Sequence, residues 1–224
     1  MTGTTIRSAV RDLAGVSSTY PELSDTHVDR YVDEAMLMAA YEAAPMALRV
    51  SYSQTSSSGT HTYAAYTSVV VFVTAVKANG KACQLIDEDN LDVIAPAWES
   101  AATSAVQTHA IITGQSSGIL QVRLWPTPNY TTANAVIIRS IKQPTSLATV
   151  ATGEVDEFPD FLHHGFVKYA AYRHLLCQAE EADQSKLAAY KADWDASKAL
   201  YVALEQDNNS VQSRRAQSQR SVRA

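Results

Sequence analysis

The chain has 224 residues, 46% of them apolar and 18% charged, with a formal net charge of −5. That length and balance suit one or two globular domains with a sizeable core, and the mild acidity argues against a surface that grips nucleic acid everywhere. No apolar run approaches the roughly 18 residues of a membrane helix, and the opening MTGTTIRSAVRDL lacks a signal peptide's apolar run and cleavage site.

Residues 4–14 predict a short helix, with Ile6, Val10 and Leu13 at helical spacing. Ser24 stands where an N-cap belongs, and Leu23 and Val28 have the spacing of a hydrophobic staple. The helix that follows runs from Asp25 to about Ala44, presents Val28, Tyr31, Val32, Ala35, Leu37 and Met38, and stops at Pro45. From about residue 47 the chain turns rich in Val, Thr, Tyr and Ser. Asn79-Gly80 tolerates positive φ at both central turn positions, so Val71–Ala78 and Lys81–Ile86 predict a hairpin. Residues 88–105 predict a loop with one helical turn. His109–Thr113 and Ile119–Trp125 form the next strand pair, and Ala135–Ile141 a further strand. The expectation is about six short strands, antiparallel throughout.

A Ser/Thr/Gly connector leads back to helix. Pro159 suits a first helical turn, and the helix runs to about Glu181 with Phe161, Leu162, Phe166, Val167, Ala170, Tyr172 and Leu176 as core candidates. A second helix, 185–206, carries the stripe Leu187, Tyr190, Trp194, Tyr201 and Leu204. The fold class expected is α+β. Residues 1–46 and 155–206 form a helical bundle, 47–142 an inserted antiparallel β-rich domain, and 207–224 an extended C-terminal arm. Arg214, Arg215, Arg220 and Arg223 against Asp207 put that arm at +3 and the other 206 residues at −8. So polar a segment cannot order itself by apolar burial. Arginine suits docking, because its planar fork pairs carboxylates in bidentate fashion.

The chemical motifs are few. Gly114-Gln115-Ser116-Ser117-Gly118 matches the nucleophile elbow G-x-S-x-G. An elbow needs a helix after its serine, however, and Ile119–Leu124 alternates apolar and polar as a strand does. The segment is therefore expected to be a hairpin loop, with a hydrolase using Ser116 as the rival reading. His163, His164 and His174 lie on one helix. His163 and His174 are too far apart to share a metal, so all three are expected at a surface or interface. DEDN at 87–90 lacks a calcium loop's spaced ligands and is expected to be a solvated acidic turn. Cys83 and Cys177 have no metal or redox spacing and are expected to be buried free thiols, consistent with synthesis in a reducing cytoplasm. No catalytic, metal or cofactor site is expected, because no phosphate-binding or dinucleotide glycine pattern occurs.

The layout resembles the head-to-tail adaptors of tailed bacteriophages, of the type in the neck of short-tailed phages. The carrying features are the alanine-rich helix DTHVDRYVDEAMLMAAYEAAP, the lone tryptophan in LIDEDNLDVIAPAW, and the strand end GILQVRLWPTPN. A strand running into Gln143-Pro144 follows, and then the closing pair EFPDFLHHGFVKYAAYRHLL and KLAAYKADWDASKALY, with Tyr190 and Trp194 four apart. The likeness spans nearly the whole chain. It implies a non-enzymatic virion protein that forms a homo-oligomeric ring, a dodecamer, between the portal and the tail nozzle or tail tube. DNA would pass through that ring without specific binding, and no membrane is involved. It also implies that the arm with Arg214, Arg215, Arg220 and Arg223 binds the portal. The loop Gln115, Ser116 and Ser117 is expected to touch a neighbouring subunit or the tail. A tail-tube or nozzle subunit is the alternative structural role.

Overall fold

The computed structural model describes residues 1–96, 98, 103–116, 119–150, 152–178 and 183–221, and for 116, 209 and 211–221 the backbone alone. It divides into two compact units, Met1–Leu48 with Pro144–Ala224, and Arg49–Gln143.

In the second unit Asn79 and Gly80 adopt φ of 48° and 77°. Positive φ at both central positions makes the tight turn the sequence predicts, joining β3 (Val70–Ala78) to β4 (Lys81–Ile86). The other strands are β1 (Arg49–Ser56), β2 (Thr62–Ala64), β5 (His109–Ser116), β6 (Ile119–Trp125) and β7 (Thr132–Lys142). Their order in one sheet is β1-β7-β3-β4-β5-β6-β2. The sheet is nearly closed: Gln54 of edge strand β1 donates to Ala64 O of the opposite edge at 2.7 Å, and Tyr52 meets Tyr66 edge-to-face. Val73, Val76, Ala110, Val122, Leu124, Val136 and Ile138 pack together as the core of this unit.

Two expectations for this unit change. There are seven strands among the described residues, and β4 runs parallel to β5, pairing Leu85 with Ala110 and Ile86 with Ile111. A parallel pair needs a long crossover, and residues 87–108 supply it with helix α3 (Glu88–Ile94). The acidic DEDN stretch builds that helix: Asp87 caps it, accepting from Asn90 N at 2.7 Å, and Glu88 and Asp89 sit in its first turn. Negative charge there complements the helix dipole. Leu91 and Trp98 cover Ile111 and the partly buried Trp125. Successive strand residues face opposite sides, so Ala110 serves one core and Ile111 the other. The crossover is pinned by buried Gln107, which donates to Ser104 O at 2.7 Å and accepts from Tyr130 at 2.7 Å. After β6 the chain turns through a cis Trp125–Pro126 bond, and Pro128 O then accepts from Gly59 N at 2.9 Å.

The helical unit holds α1 (Gly3–Ala14), α2 (Asp25–Ala43), α4 (Asp160–Cys177) and α5 (Gln184–Ser221). Helix α4 packs against the other three, and Leu162, Phe166, Ala170 and Ala171 on it are fully buried. It comes closest to α5 at Gly165, where an added Cβ would lie 3.0 Å from Ser197 Cβ and 3.3 Å from Trp194. Leu23 and Val28 are both buried around the start of α2, but the Ser24 hydroxyl bonds His27 Nδ1 rather than a backbone N–H. Arg7 of α1 grips Asp29 of α2 with two bonds of 2.7 Å. Asp33 accepts from Ser146 Oγ and Leu147 N, and Tyr169 donates to Glu34 at 2.8 Å.

Several expected core positions shift. Met36 is buried and Leu37 is exposed, because the α2 stripe steps through 28, 32, 35, 36, 39 and 43 and leaves 37 about a quarter-turn outside it. Leu176 and Leu204 are also exposed. Along α5 the buried residues are Leu187, Trp194 and Tyr201, every seventh position, and the next in that series is Asn208. Full burial along α5 therefore ends at Tyr201 among the described residues. The largest correction follows from this: residues 207–221 are helical rather than an extended arm. The stretch has no Gly or Pro to stop a helix and carries three Gln and three Arg, both good helix formers. Extending an existing helix costs no new nucleus.

Candidate interaction surfaces

Tyr201 marks the end of the packed part of α5 and one wall of a groove. Its ring meets Phe158 at 5.9 Å and Phe161 at 6.4 Å, and Leu204 stands one turn further on, 44% exposed. The groove holds about 350 Å³ and is rimmed by Asp156, Glu157 and Glu205. Glu157 is turned inward to Thr145, accepting from its N–H at 2.7 Å and its hydroxyl at 3.1 Å. Glu205 is steadied at the rim by the Met46 N–H, 3.3 Å from Oε2. Asp156 is exposed. Burial and the neighbouring Glu205 charge push the Tyr201 phenol well above its ordinary range, so it stays neutral. The groove thus has aromatic and aliphatic walls under a carboxylate rim. Sequence reasoning missed it, because its acids lie in the connector before α4 and on α5, which only the fold brings together.

Beyond Tyr201, helix α5 continues to Ser221, a rise of about 30 Å at 1.5 Å per residue. No described side chain past Tyr201 is buried. Arg214, Arg215 and Arg220 lie on this helical backbone, their side chains outside the described residues, and Arg223 lies outside them altogether.

In the G-x-S-x-G segment β5 runs to Ser116 and β6 begins at Ile119. β5 and β6 are antiparallel, Gln115 opposite Leu120 and Ser116 opposite Ile119, with a register shift around Gly114 at φ 102°. A strand stands where the elbow's helix would have to be, so the geometry that activates such a serine is missing. Gln115 is exposed, the Ser116 side chain is not among the described atoms, and Ser117 lies outside the described residues. A second cavity in the same unit, of about 520 Å³, is lined by Leu85, Ile86, Ile94 and Ile112 with Gln84, Asp87 and Asn90.

The histidines are not all at the surface. His163 and His174 are buried on the core face of α4. His163 Nε2 bonds Val155 O at 3.0 Å, while His174 packs edge-on to Tyr20 and its Nε2 has no hydrogen-bond partner among the described residues. Burial lowers both pKa values. The signal was available: 163, 166, 170 and 174 form one helical stripe. Cys83 is buried, its thiol pushed up to about 11, whereas Cys177 is exposed at the end of α4, contrary to expectation. Among the described residues no three or more His, Cys, Asp or Glu side chains gather as metal ligands, and no helix is long and apolar enough to cross a membrane.

The chain thus combines a helical unit, carrying a groove and a long polar helical extension, with a β unit. It belongs to the SU10 adaptor protein family, whose model matches residues 1–223, in keeping with a bacteriophage head-to-tail adaptor. The family places it among phage structural adaptors and hence among virion components. No curated protein matches the chain.

Proposed function

We propose that the protein forms a dodecameric ring between the portal and the tail nozzle or tube, and lines part of the channel through which DNA leaves the head. The family match over residues 1–223 carries this reading, because it covers both units and nearly all of the C-terminal extension. The extension is the portal-binding arm, with Arg214, Arg215, Arg220 and Arg223 as its charged contacts. As a helix it reaches about 30 Å beyond the packed unit. The hairpin end at Gln115, Ser116 and Ser117 meets a neighbouring subunit or the tail. An acidic body, −8 without the arm, suits a conduit because like charge does not grip passing DNA.

The arm assignment is tested by ending the chain after Gln206 and co-sedimenting it with portal rings. The truncated chain should keep its melting temperature and its circular dichroism per residue outside the arm, yet fail to sediment with portal. Normal portal binding would refute the arm.

A further inference from the structure

We propose that the groove walled by Phe161, Tyr201 and Leu204 seats the adjacent arginines Arg214 and Arg215 of a second copy of this chain. The groove offers the two things a guanidinium uses. The partly exposed Phe161 ring and exposed Leu204 receive its flat face and methylene stem above the buried Tyr201, and the rim carboxylates Asp156 and Glu205 receive its charge. Glu205 is already held in place by the Met46 N–H, so little side-chain freedom is lost on pairing. Two carboxylates match two neighbouring arginines in charge and number. The body is acidic and the extension basic within one sequence, at −8 and +3, so each copy carries both halves of the contact.

The occupant comes from another copy. Asn208, the last α5 residue lining the groove, lies six residues before Arg214 on the same helix. The helix carries Arg214 about 9 Å along its axis from Asn208, away from the groove. A head-to-tail contact of this kind repeats from copy to copy and closes into a ring when the rotation allows. The inference rests on the ring reading. It moves Arg214 and Arg215 from the portal contacts proposed above to a neighbouring copy, and leaves Arg220 and Arg223, further along the extension, for the portal.

The test uses the full-length protein, a fluorescein-labelled peptide of residues 208–224, and anisotropy at low salt. The peptide should bind saturably. Changing Arg214→Gln and Arg215→Gln together in the peptide, or Asp156→Asn and Glu205→Gln together in the protein, should each weaken binding by about tenfold or more. Gln at 205 keeps the acceptor for Met46, and an unchanged melting temperature confirms folding. The peptide with Arg220→Gln and Arg223→Gln should bind within about threefold of the original. The proposal is overturned if no peptide binds, if the groove variants bind as tightly as the parent, or if both arginine pairs matter equally. No portal enters the experiment, so its failure leaves portal attachment standing, and failed portal attachment leaves this contact standing.

Discussion

The two units are held together by different physics. In the helical unit, charges bridge the helices: Arg7 to Asp29, Arg11 to Asp25, Arg173 to Glu34, Lys168 to Asp193 and Lys198 to Glu42. In the β unit the described contacts are an aliphatic core of Val, Ile, Leu and Ala, with hydroxyl and amide bonds at its margins, such as Thr132 N–H to Ser56 Oγ and Tyr63 OH to Thr60 O. Helices meet along narrow stripes, which leaves room for ion pairs at the borders. A nearly closed sheet meets itself across its interior, where a charge would be desolvated. The helical unit should therefore respond to pH, and the β unit to the loss of methyl groups.

The largest break in this contrast is expected from Phe166→Ala. It empties the centre of α4, where Phe166 is fully buried against Phe158 and Trp194, and should cost about 4 kcal/mol. Hydrogen exchange should rise throughout the helical unit. Ile138→Ala is the counterpart in the β unit, about 3 kcal/mol, with faster exchange in β7, β3 and β1 and little dependence on salt. Asp29→Ala leaves Arg7 largely buried without its bidentate partner, each side chain being 12% exposed, and should cost about 3 kcal/mol. Chemical denaturation reads each of these. If Asp29→Ala is neutral, ion pairs do not hold the helical unit together.

Smaller effects sharpen the contrast. Gly165→Leu would force α4 and α5 apart at the 3.0 Å approach to Ser197, at about 2 kcal/mol. The pH response follows from two core histidines. Both have folded pKa values below the ordinary 6.5, because burial disfavours the charged ring. Unfolded chains then bind more protons, so stability is full above pH 6.5 and is lost as pH falls from there through the lower folded values. Around His163 the chain's amino group also disfavours the proton while Asp160 favours it; around His174, Glu22 favours it and His27 opposes it. His174→Leu should flatten the acid side of a melting-temperature profile and leave pH 8 nearly unchanged. A profile with the same acid slope would show that His174 is not responsible.

How much of this the sequence carried depended on whether the signal was local. Asn79-Gly80 demands a turn with positive φ, and the hairpin is there. Alternation after Gly118 marked β6, so Ser116 was legible as part of a hairpin. The parallel β4–β5 pair was not legible, because it depends on Leu91 and Trp98 covering Ile111 after the chain has crossed over. Buried His163 and His174 were hidden by residue type, since histidine is read as a surface group even when its spacing is that of the core. Residues 207–221 were read from their lack of apolar side chains, when the helix before them and the absence of Gly or Pro governed the backbone. The groove was illegible for another reason: Asp156 and Glu205 are distant in sequence and meet only around Phe161 and Tyr201.

The central claim is that this chain is a ring-forming adaptor that attaches to a portal. Native mass measurement of portal rings mixed with excess full-length protein tests it most directly. The account predicts a discrete complex whose added mass corresponds to one dodecamer of 24.3 kDa chains, with no partly filled series at saturation. Portal rings that gain no mass, or that bind scattered copies without closure, would contradict it.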